Sequence, residues 1–444
     1  MSMKQKMMSL TMLALLILSA GASAEPGKAV SLDDCLAIAM TNALPMTNAR
    51  LDQNILRMKA NKGRSEAFPK ISARGDYTRI DVAPVFDTPD GPVELAALDN
   101  YSASLNVSQL LFSGGRVGAA IRASRLTTEY SIHNLSETRS ALIRDISIDF
   151  FAVLLARTAA DVQRESEEQL KLFAEHVKAK HESGAVSELD WLAADLRYRN
   201  VIPARIAAEN AEQLASNALH QRIGLDIDAG YVFAGALVPA SMPMTEELAR
   251  EMSTTNRPAI ARMSTTVALL EQGVIAARSP LLPSVSISAS LSHANSDGFA
   301  SSDNWESHWN AGAAIEWSLF DGGLTRADVR QKRFELERQI AEFEDFKRVI
   351  RLQIRQAFLA YEQSSKAITA AESAVAIAQK TLALAGVRYD LGLATGLDVA
   401  EANVATKQAR LALAVAVYEQ NVAVAALEHA AGITASTFGP ERGK

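Results

Sequence analysis

Two stretches of the chain carry an apolar repeat of the kind found in long α-helices. Over residues 371–389 the repeat alternates between spacings of four and three, and it recurs over residues 404–425. This alternation is the heptad pattern of helices that pack side by side in coiled coils. A glycine-containing turn at 390–396 separates the two stretches, so the pattern predicts an antiparallel helical hairpin.

The helices predicted by this pattern are unusually long. Arg116–Glu182 and Leu324–Asp390 each read as one helix of 67 residues, which would extend for about 100 Å. A second helix from about Ser187 to Gly224 would complete a first hairpin around the turn at Ser183-Gly184. No compact domain requires helices of this length, so we expect an elongated molecule.

Shorter stretches alternate between polar and apolar residues, with the period of two that β-strands show. In the stretch 284–293 serine occupies nearly every second position, and the alternation recurs after Tyr101 and in a strand that ends at Phe320. A further strand is predicted from about Lys70. One face would carry mainly serine and asparagine, and the other would be apolar and flanked by tryptophan. This pattern is typical of a transmembrane β-barrel, and a soluble sheet is the alternative.

The same order of elements occurs twice along the chain. The pairs 208 residues apart are Phe112–Gly115 with Phe320–Gly323, Gly184 with Gly392, Asp190 with Asp398, and Gly224 with Gly432. We therefore predict a first repeat over 25–225, a bridge over 226–244, a second repeat over 245–432 and a tail over 433–444. Four strands cannot close a barrel, and open edges in lipid would leave backbone groups unpaired. Two or three copies of the chain would have to complete it.

The N-terminus has the features of a secretory signal peptide over residues 1–24. Lys4 and Lys6 precede a short apolar run, and Ala22-Ser23-Ala24 forms a cleavage site. An uncleaved anchor is the alternative, but the run is shorter than the roughly 20 residues of a membrane span. The best later candidate, 411–427, is interrupted by Glu419 and its two polar neighbours. We expect no transmembrane helix in the exported chain.

Composition and charge narrow the classes of function. The chain is 48% hydrophobic with a net charge of −6, so nucleic acid is not an expected partner. Its single cysteine, Cys35, cannot form an intramolecular disulfide, and we expect it to be a small buried side chain on a helix. His293 and His308 flank a predicted extracellular loop without the spacing of a metal site. No nucleophile or nucleotide motif is found, so we expect neither an enzyme nor a bound cofactor.

The combination of these motifs resembles the TolC-type outer membrane efflux proteins. The resemblance rests on the FSGG and FDGG corners, the prolines at the strand starts (Pro69 and Pro283) and the paired turns SGAVSELD and YDLGLATGLD. It implies an α+β membrane protein with a twofold internal repeat. In such a protein a homotrimer contributes four transmembrane strands per chain to a 12-stranded barrel, which a long periplasmic α-helical coiled-coil barrel continues. The location would be the outer membrane of a Gram-negative bacterium.

The same resemblance implies a function and partners. The trimer would be embedded in outer-membrane lipid as the exit duct of a tripartite efflux system, passively conducting small molecules such as drugs or metal ions. Its partners would be a periplasmic adaptor protein and an inner-membrane transporter of the resistance-nodulation-division (RND) or ABC type. The outer-membrane component of a type I protein secretion system is an alternative. A non-conducting periplasmic coiled-coil scaffold or adhesin is a second alternative.

The resemblance also suggests roles for residues of the two turns. Asp398 and Glu401 would form an acidic selectivity ring, in which crowding would raise the carboxyl pKa values; acids favoured at a helix start are the alternative. Tyr389 and Asp190 would form the gate. Relatives carry an arginine where this chain has Ala394, so we expect weaker closure. Adaptor contacts are predicted at Gly184, Ala185, Val186, Gly392 and Leu393.

Overall fold

The structure is a computed structural model that describes residues 29–82, 85–89, 91–94, 98–228, 230–295 and 305–433. The predicted signal peptide and nearly all of the predicted tail lie outside these residues. The described helices are α1 Leu32–Asn42, α2 Leu44–Ser65, α3 Arg116–Glu182, α4 Glu188–Ile223, α5 Glu246–Asn256, α6 Pro258–Arg278, α7 Leu324–Asp390 and α8 Gly396–Ala431. The described strands are β1 Ala29–Val30, β2 Lys70–Arg79, β3 Val85–Thr88, β4 Gly91–Glu94, β5 Asp99–Ser113, β6 Val232–Phe233, β7 Ser284–Ala294 and β8 Glu306–Glu316.

The two long helices are confirmed with the bounds predicted for them, 67 residues each. The hairpins α3–α4 and α7–α8 lie side by side in the order α4, α3, α8, α7, because α8 packs against both α3 and α7. The shorter helices α2 and α6 pack on α3, and α6 also packs on α7. The outer helices of this layer are therefore α4 and α7.

Four strands form one antiparallel sheet in the order β2, β5, β7, β8. Ser104 lies opposite Ser292, and Asn106 lies opposite Ser290, whereas Leu105 lies opposite Leu291. Because directly opposite residues share a face, the serines and asparagines of different strands line one side of the sheet. The predicted polar and apolar faces are confirmed.

The prediction for the last strand was wrong at its end. β8 ends at Glu316, which pairs with Ser284 at the start of β7, so Trp317 and Phe320 lie beyond the strand. Pro283 directly precedes Ser284, and proline has no N–H with which to continue a ladder. Both aromatic side chains remain exposed in the single chain.

Two buried clusters surround the middle of the helical layer. In the first, α1, β1 and β6 cover α3 and α4, and Cys35, Ile146, Phe150, Leu219 and Phe233 are buried. In the second, α5 and the end of the bridge cover α7 and α8. Cys35 is fully buried on a helix, as expected, and burial raises the pKa of its thiol to about 12.

Within the described residues one helix, Gly396–Ala431, is long and apolar enough by composition to cross a membrane, which differs from the prediction of no such stretch. Half of its most apolar window is buried within the chain (50%). The core helix of a bundle passes the same test, and α8 lies between α3 and α7.

Candidate functional site

The turns of the two hairpins fold by the same local mechanism. After α3 and α7 end, Gly184 and Gly392 take left-handed backbone angles, with φ of 78° and 71°. The N–H of Ala185 donates to the carbonyl of Lys180, and the N–H of Leu393 donates to that of Arg388, each over 2.8 Å. Glycine adopts this conformation without strain and lets the last helical carbonyls be satisfied.

Asp190 and Asp398 each cap the helix that follows their turn. Asp398 Oδ2 accepts hydrogen bonds from the backbone N–H and the hydroxyl of Thr395, at 2.7 and 2.8 Å. Asp190 Oδ2 accepts from the Ser187 hydroxyl at 2.7 Å. These reciprocal bonds are capping boxes, which satisfy N–H groups at a helix start.

The capping bonds change the pKa of Asp398, one of the two acids predicted to form a selectivity ring. The backbone N–H and the hydroxyl of Thr395 lower the pKa of Asp398 from its ordinary value. This direction is opposite to the one expected from crowding, because hydrogen bonds to a carboxylate favour its ionised form. Glu401 lies three residues further along α8, and both side chains are exposed in the single chain. Their role as a ring stays a prediction.

Tyr389 lies in a small apolar cluster between the hairpins. Its ring is 5.0 Å from the ring of Phe173, and its hydroxyl oxygen is buried without a hydrogen-bond partner among the residues that the structure describes. Burial, and then the charge of nearby Asp190, raise the pKa of Tyr389. No hydrogen bond joins the two predicted gate residues, Tyr389 and Asp190, in this single chain, and their role as a gate stays a prediction. The capping bonds to Ser187 already engage Asp190 Oδ2.

A polar contact between the hairpins is formed instead by residues that the sequence reasoning did not select. Asp390 Oδ1 is 2.8 Å from His176 Nε2 and accepts a hydrogen bond from Lys180 Nζ at 3.1 Å. Lys180 Nζ also lies 4.6 Å from the centre of the Tyr389 ring. Lys180, and then His176, lower the pKa of Asp390. We call His176, Lys180 and Asp390 the tip latch.

A sequence signal for the tip latch existed. His176 and Lys180 are four residues apart, so they lie on one face of α3. The spacing does not show which helix that face meets. The contact arises because α3 and α7 approach each other at the turns.

The predicted adaptor-contact residues differ in their exposure. Gly184, Ala185, Gly392 and Leu393 are exposed, but Val186 is half-buried and packs against the cluster that contains Tyr389. The exposed leucines around the two turns are Leu189, Leu391, Leu393 and Leu397. These turns therefore offer a small apolar surface at the free end of the helices.

In the part of the chain that the structure describes, no group of three or more His, Cys, Asp or Glu side chains could hold a metal ion. His293 lies 2.9 Å from the Ser307 hydroxyl and stacks on Trp305, while His308 lies 3.3 Å from Glu306. Those contacts are local to the ends of β7 and β8.

A four-stranded sheet with one polar and one apolar face, joined to two hairpins of very long helices, defines a channel-forming protein of the outer-membrane type. The family model "Outer membrane efflux protein" matches residues 36–225 and 250–433. The chain therefore belongs to the outer membrane efflux protein family.

Individual relatives agree with this assignment. The chain is 24% identical over 361 residues to the solvent efflux pump outer membrane protein SrpC of Pseudomonas putida, covering 76% of this chain and 72% of SrpC. It is 24% identical over 346 residues to the outer membrane efflux protein BepC of Brucella suis, covering 76% and 74%. The solved structure of the outer membrane protein VceC from Vibrio cholerae superposes with a TM-score of 0.78 at 19% identity, covering 90% of this chain and 96% of VceC.

The family and the fold together indicate where in the cell the protein lies. It is an efflux channel protein of the Gram-negative outer membrane, with a large periplasmic portion, and its family is a transport family rather than an enzyme family.

Proposed function

We propose that three copies of the chain form one outer-membrane exit duct. The observation that carries this proposal is the sheet: in the described residues neither β2 nor β8 has a partner on its outer side. The strands alternate in direction across the sheet, so β8 of one copy can pair antiparallel with β2 of the next. Lipid does not tolerate unpaired strand edges, and closure by three copies yields an even-numbered barrel.

The helical layer supports assembly by the same neighbours. Its outer helices, α4 and α7, carry large exposed apolar side chains along their length. Those residues are Leu189, Leu192, Leu196, Ile206 and Leu214 on α4, and Leu352, Leu359, Ile377, Leu384 and Val387 on α7. Burial of such rows is favourable, so α7 of one copy would pack against α4 of the next.

In this assembly the serine-rich face of the sheet would line a water-filled bore, and the apolar face would contact outer-membrane lipid. The duct would passively conduct small molecules such as drugs or metal ions that an inner-membrane transporter of the RND or ABC type and a periplasmic adaptor deliver. SrpC is named as the outer membrane protein of a solvent efflux pump, which supports partnership with a pump. The exposed turn residues Gly184, Ala185, Gly392 and Leu393 would meet the adaptor.

The tip latch would hold the periplasmic entrance closed. Ala394 lies where relatives have an arginine, but Lys180 and His176 tie the first hairpin to Asp390 of the second. Tyr389 would pack beneath Lys180 as part of the same closure. Asp398 and Glu401 would form the acidic ring just inside it.

Purified protein tests the duct proposal directly. Its mass in detergent should correspond to three chains, and after insertion into a planar bilayer it should conduct ions with cation preference. A non-conducting trimer would favour the scaffold hypothesis and overturn this one. Passage of a dye with the cognate pump, without secretion of a polypeptide, would distinguish efflux from type I secretion.

A further inference from the structure

A cavity of about 470 Å³ lies where α3, α7 and α8 meet, near the end of α8 and far along the chain from the turns. Its polar lining consists of Arg144, Gln353, Gln356, Gln363, Tyr418, Glu419 and His429. The rest of its wall is apolar, formed by alanines of α7 and α8 and by Val422. The volume lies in the range of sites that bind drug-sized molecules.

Part of the cavity lining, Gln356 and Gln363, lies on a different face of α7 from the bridge, whereas Ala357 of the lining also belongs to the buried cluster beneath the bridge. The Tyr361 hydroxyl accepts a hydrogen bond from the N–H of Met242 in the bridge at 3.1 Å, and Phe358 packs in the same cluster as Met242. Gln356 and Gln363 are each five residues from one of these contacts, which is a rotation of about 140° around the helix. A connecting segment would block the bore if it crossed it, so in the proposed duct the bridge lies outside and the side of the cavity with Gln356 and Gln363 faces inward.

The lining of the cavity carries two charged side chains of opposite sign, Arg144 and Glu419. Arg144 donates through Nε and Nη2 to Asp145 Oδ1, at 2.8 and 2.7 Å, so it is paired. Burial, followed by the charges of Arg144 and Arg257, lowers the pKa of His429 to about 4, so this ring is neutral at neutral pH. Glu419 is exposed and, among the described residues, makes neither a hydrogen bond nor an ion pair.

We propose that this cavity binds amphipathic organic cations of drug size. The Glu419 carboxylate would attract the positive charge, and the Tyr418 ring favours a cation over its face. The glutamine amides both donate and accept hydrogen bonds, which suits ligands of varied polar pattern. One carboxylate is too few for a bare divalent metal ion, which requires several oxygen ligands. This inference rests on the proposed duct and specifies which small molecules contact its wall.

Titration of the full-length protein in detergent with ethidium, followed by its fluorescence, tests the inference. Glu419→Gln keeps the shape of the side chain and removes its charge, so ethidium should bind about tenfold more weakly. Glu362→Gln makes the same change on α7 outside the cavity and should leave binding unchanged. Equal binding by wild type and Glu419→Gln would overturn the proposal, as would equal loss in both variants.

The anionic dye 8-anilinonaphthalene-1-sulfonate provides a second comparison. It should bind more weakly than ethidium to the wild type, and tighter binding of the anion would contradict the charge assignment. Bilayer conductance of the same preparation separates the two proposals. A protein that conducts but does not bind ethidium would refute only the cavity site, whereas a protein that does not conduct would refute the duct.

Discussion

At the scale of single residues, the burial of His429 makes the stability of the fold depend on pH. It lies 3.1 Å from the Ser140 hydroxyl, and its pKa is lowered from 6.5 to about 4. The unfolded chain therefore binds this proton more tightly than the folded chain does. The contribution of neutral His429 to the free energy of unfolding is fully present above about pH 6.5 and is lost as the pH falls from there towards 4.

We expect this single group to cost on the order of 2 kcal/mol of stability at about pH 5 relative to neutral pH. The midpoint of thermal unfolding should fall further between about pH 7.5 and about pH 5 in the wild type than in His429→Gln. Other groups titrate in both proteins, so the difference between them isolates His429. Equal falls would show that the ring is protonated in the folded state as easily as in the unfolded one.

Glycines at two helix ends provide a second prediction at the residue scale. Gly432 and Gly392 have similar backbone angles, with φ of 75° and 71°. A Cβ at position 432 would lie 2.5 Å from the backbone nitrogen of Arg257, whereas a Cβ at 392 would meet no described atom within 4 Å. The end of α8 is thus pressed against the start of α6.

Gly392→Ala should cost about 1 kcal/mol, the strain of a left-handed backbone alone. Gly432→Ala should lower the free energy of unfolding clearly more, because the backbone at the junction of α8 and α6 must also move to make room for the Cβ. Thermal unfolding of the two variants measures the difference. Similar losses would mean that the stacked helix ends can separate without cost.

At the scale of elements, the tip latch joins α3 to α7. Asp390→Asn should shift the channel towards the open state by about two- to fivefold, since exposed ion pairs contribute modestly. Asp345→Asn is a matched control, because Asp345 pairs with Arg348 inside the same helix and, among the described residues, makes no ion pair with another hairpin. Single-channel recordings give the open probability. No increase over the Asp345 variant would exclude a role of the latch in closure.

The sheet offers a matched pair of neighbouring residues on opposite faces. Leu105→Arg places a charge on the apolar face and should cost about 2–4 kcal/mol in a bilayer, so little protein should reach the outer membrane. Ser104→Arg places the same charge on the polar face and should insert normally but change conductance. Fractionation of membranes followed by bilayer recording tests both. Normal insertion of the Leu105 variant would place lipid on the other face.

At the scale of the whole molecule, assembly should bring α4 of one copy beside α7 of the next. The first turns of α4 and the last turns of α7 lie at the same end of the hairpins, and Leu192 and Leu384 are exposed there. A Leu192→Cys, Leu384→Cys chain should form disulfide-linked dimers and trimers, while each single variant should not. Cys35 would not interfere, because it is the single natural cysteine and is fully buried. Trimers without any cross-link would require different neighbours.

Much of the fold was predictable because its signals are local. The Gly-Gly corners marked the starts of α3 and α7, and the glycine-containing turns at 183–184 and 390–396 marked their ends. Alternation of serine with apolar residues assigned the faces of β7 before its partners were known. The alternative for Asp398, an acid favoured at a helix start, agrees with its capping bonds to Thr395. Periodicity and capping depend on residues a few positions apart, and such spacings are visible in one chain.

The remainder depended on which elements become neighbours in space. The end of β8 is set by its partner β7, and the half-burial of Val186 by the cluster around Tyr389. The tip latch joins positions 176 and 180 to 390, and the cavity joins Arg144 to residues of α7 and α8. The sequence by itself determined the repeat, the long helices, the two faces of the sheet and hence the family. Only the tertiary structure decided which side chains meet between hairpins, because α3 packs against α8 and meets the end of α7 at the turns, which brings together residues more than 200 positions apart.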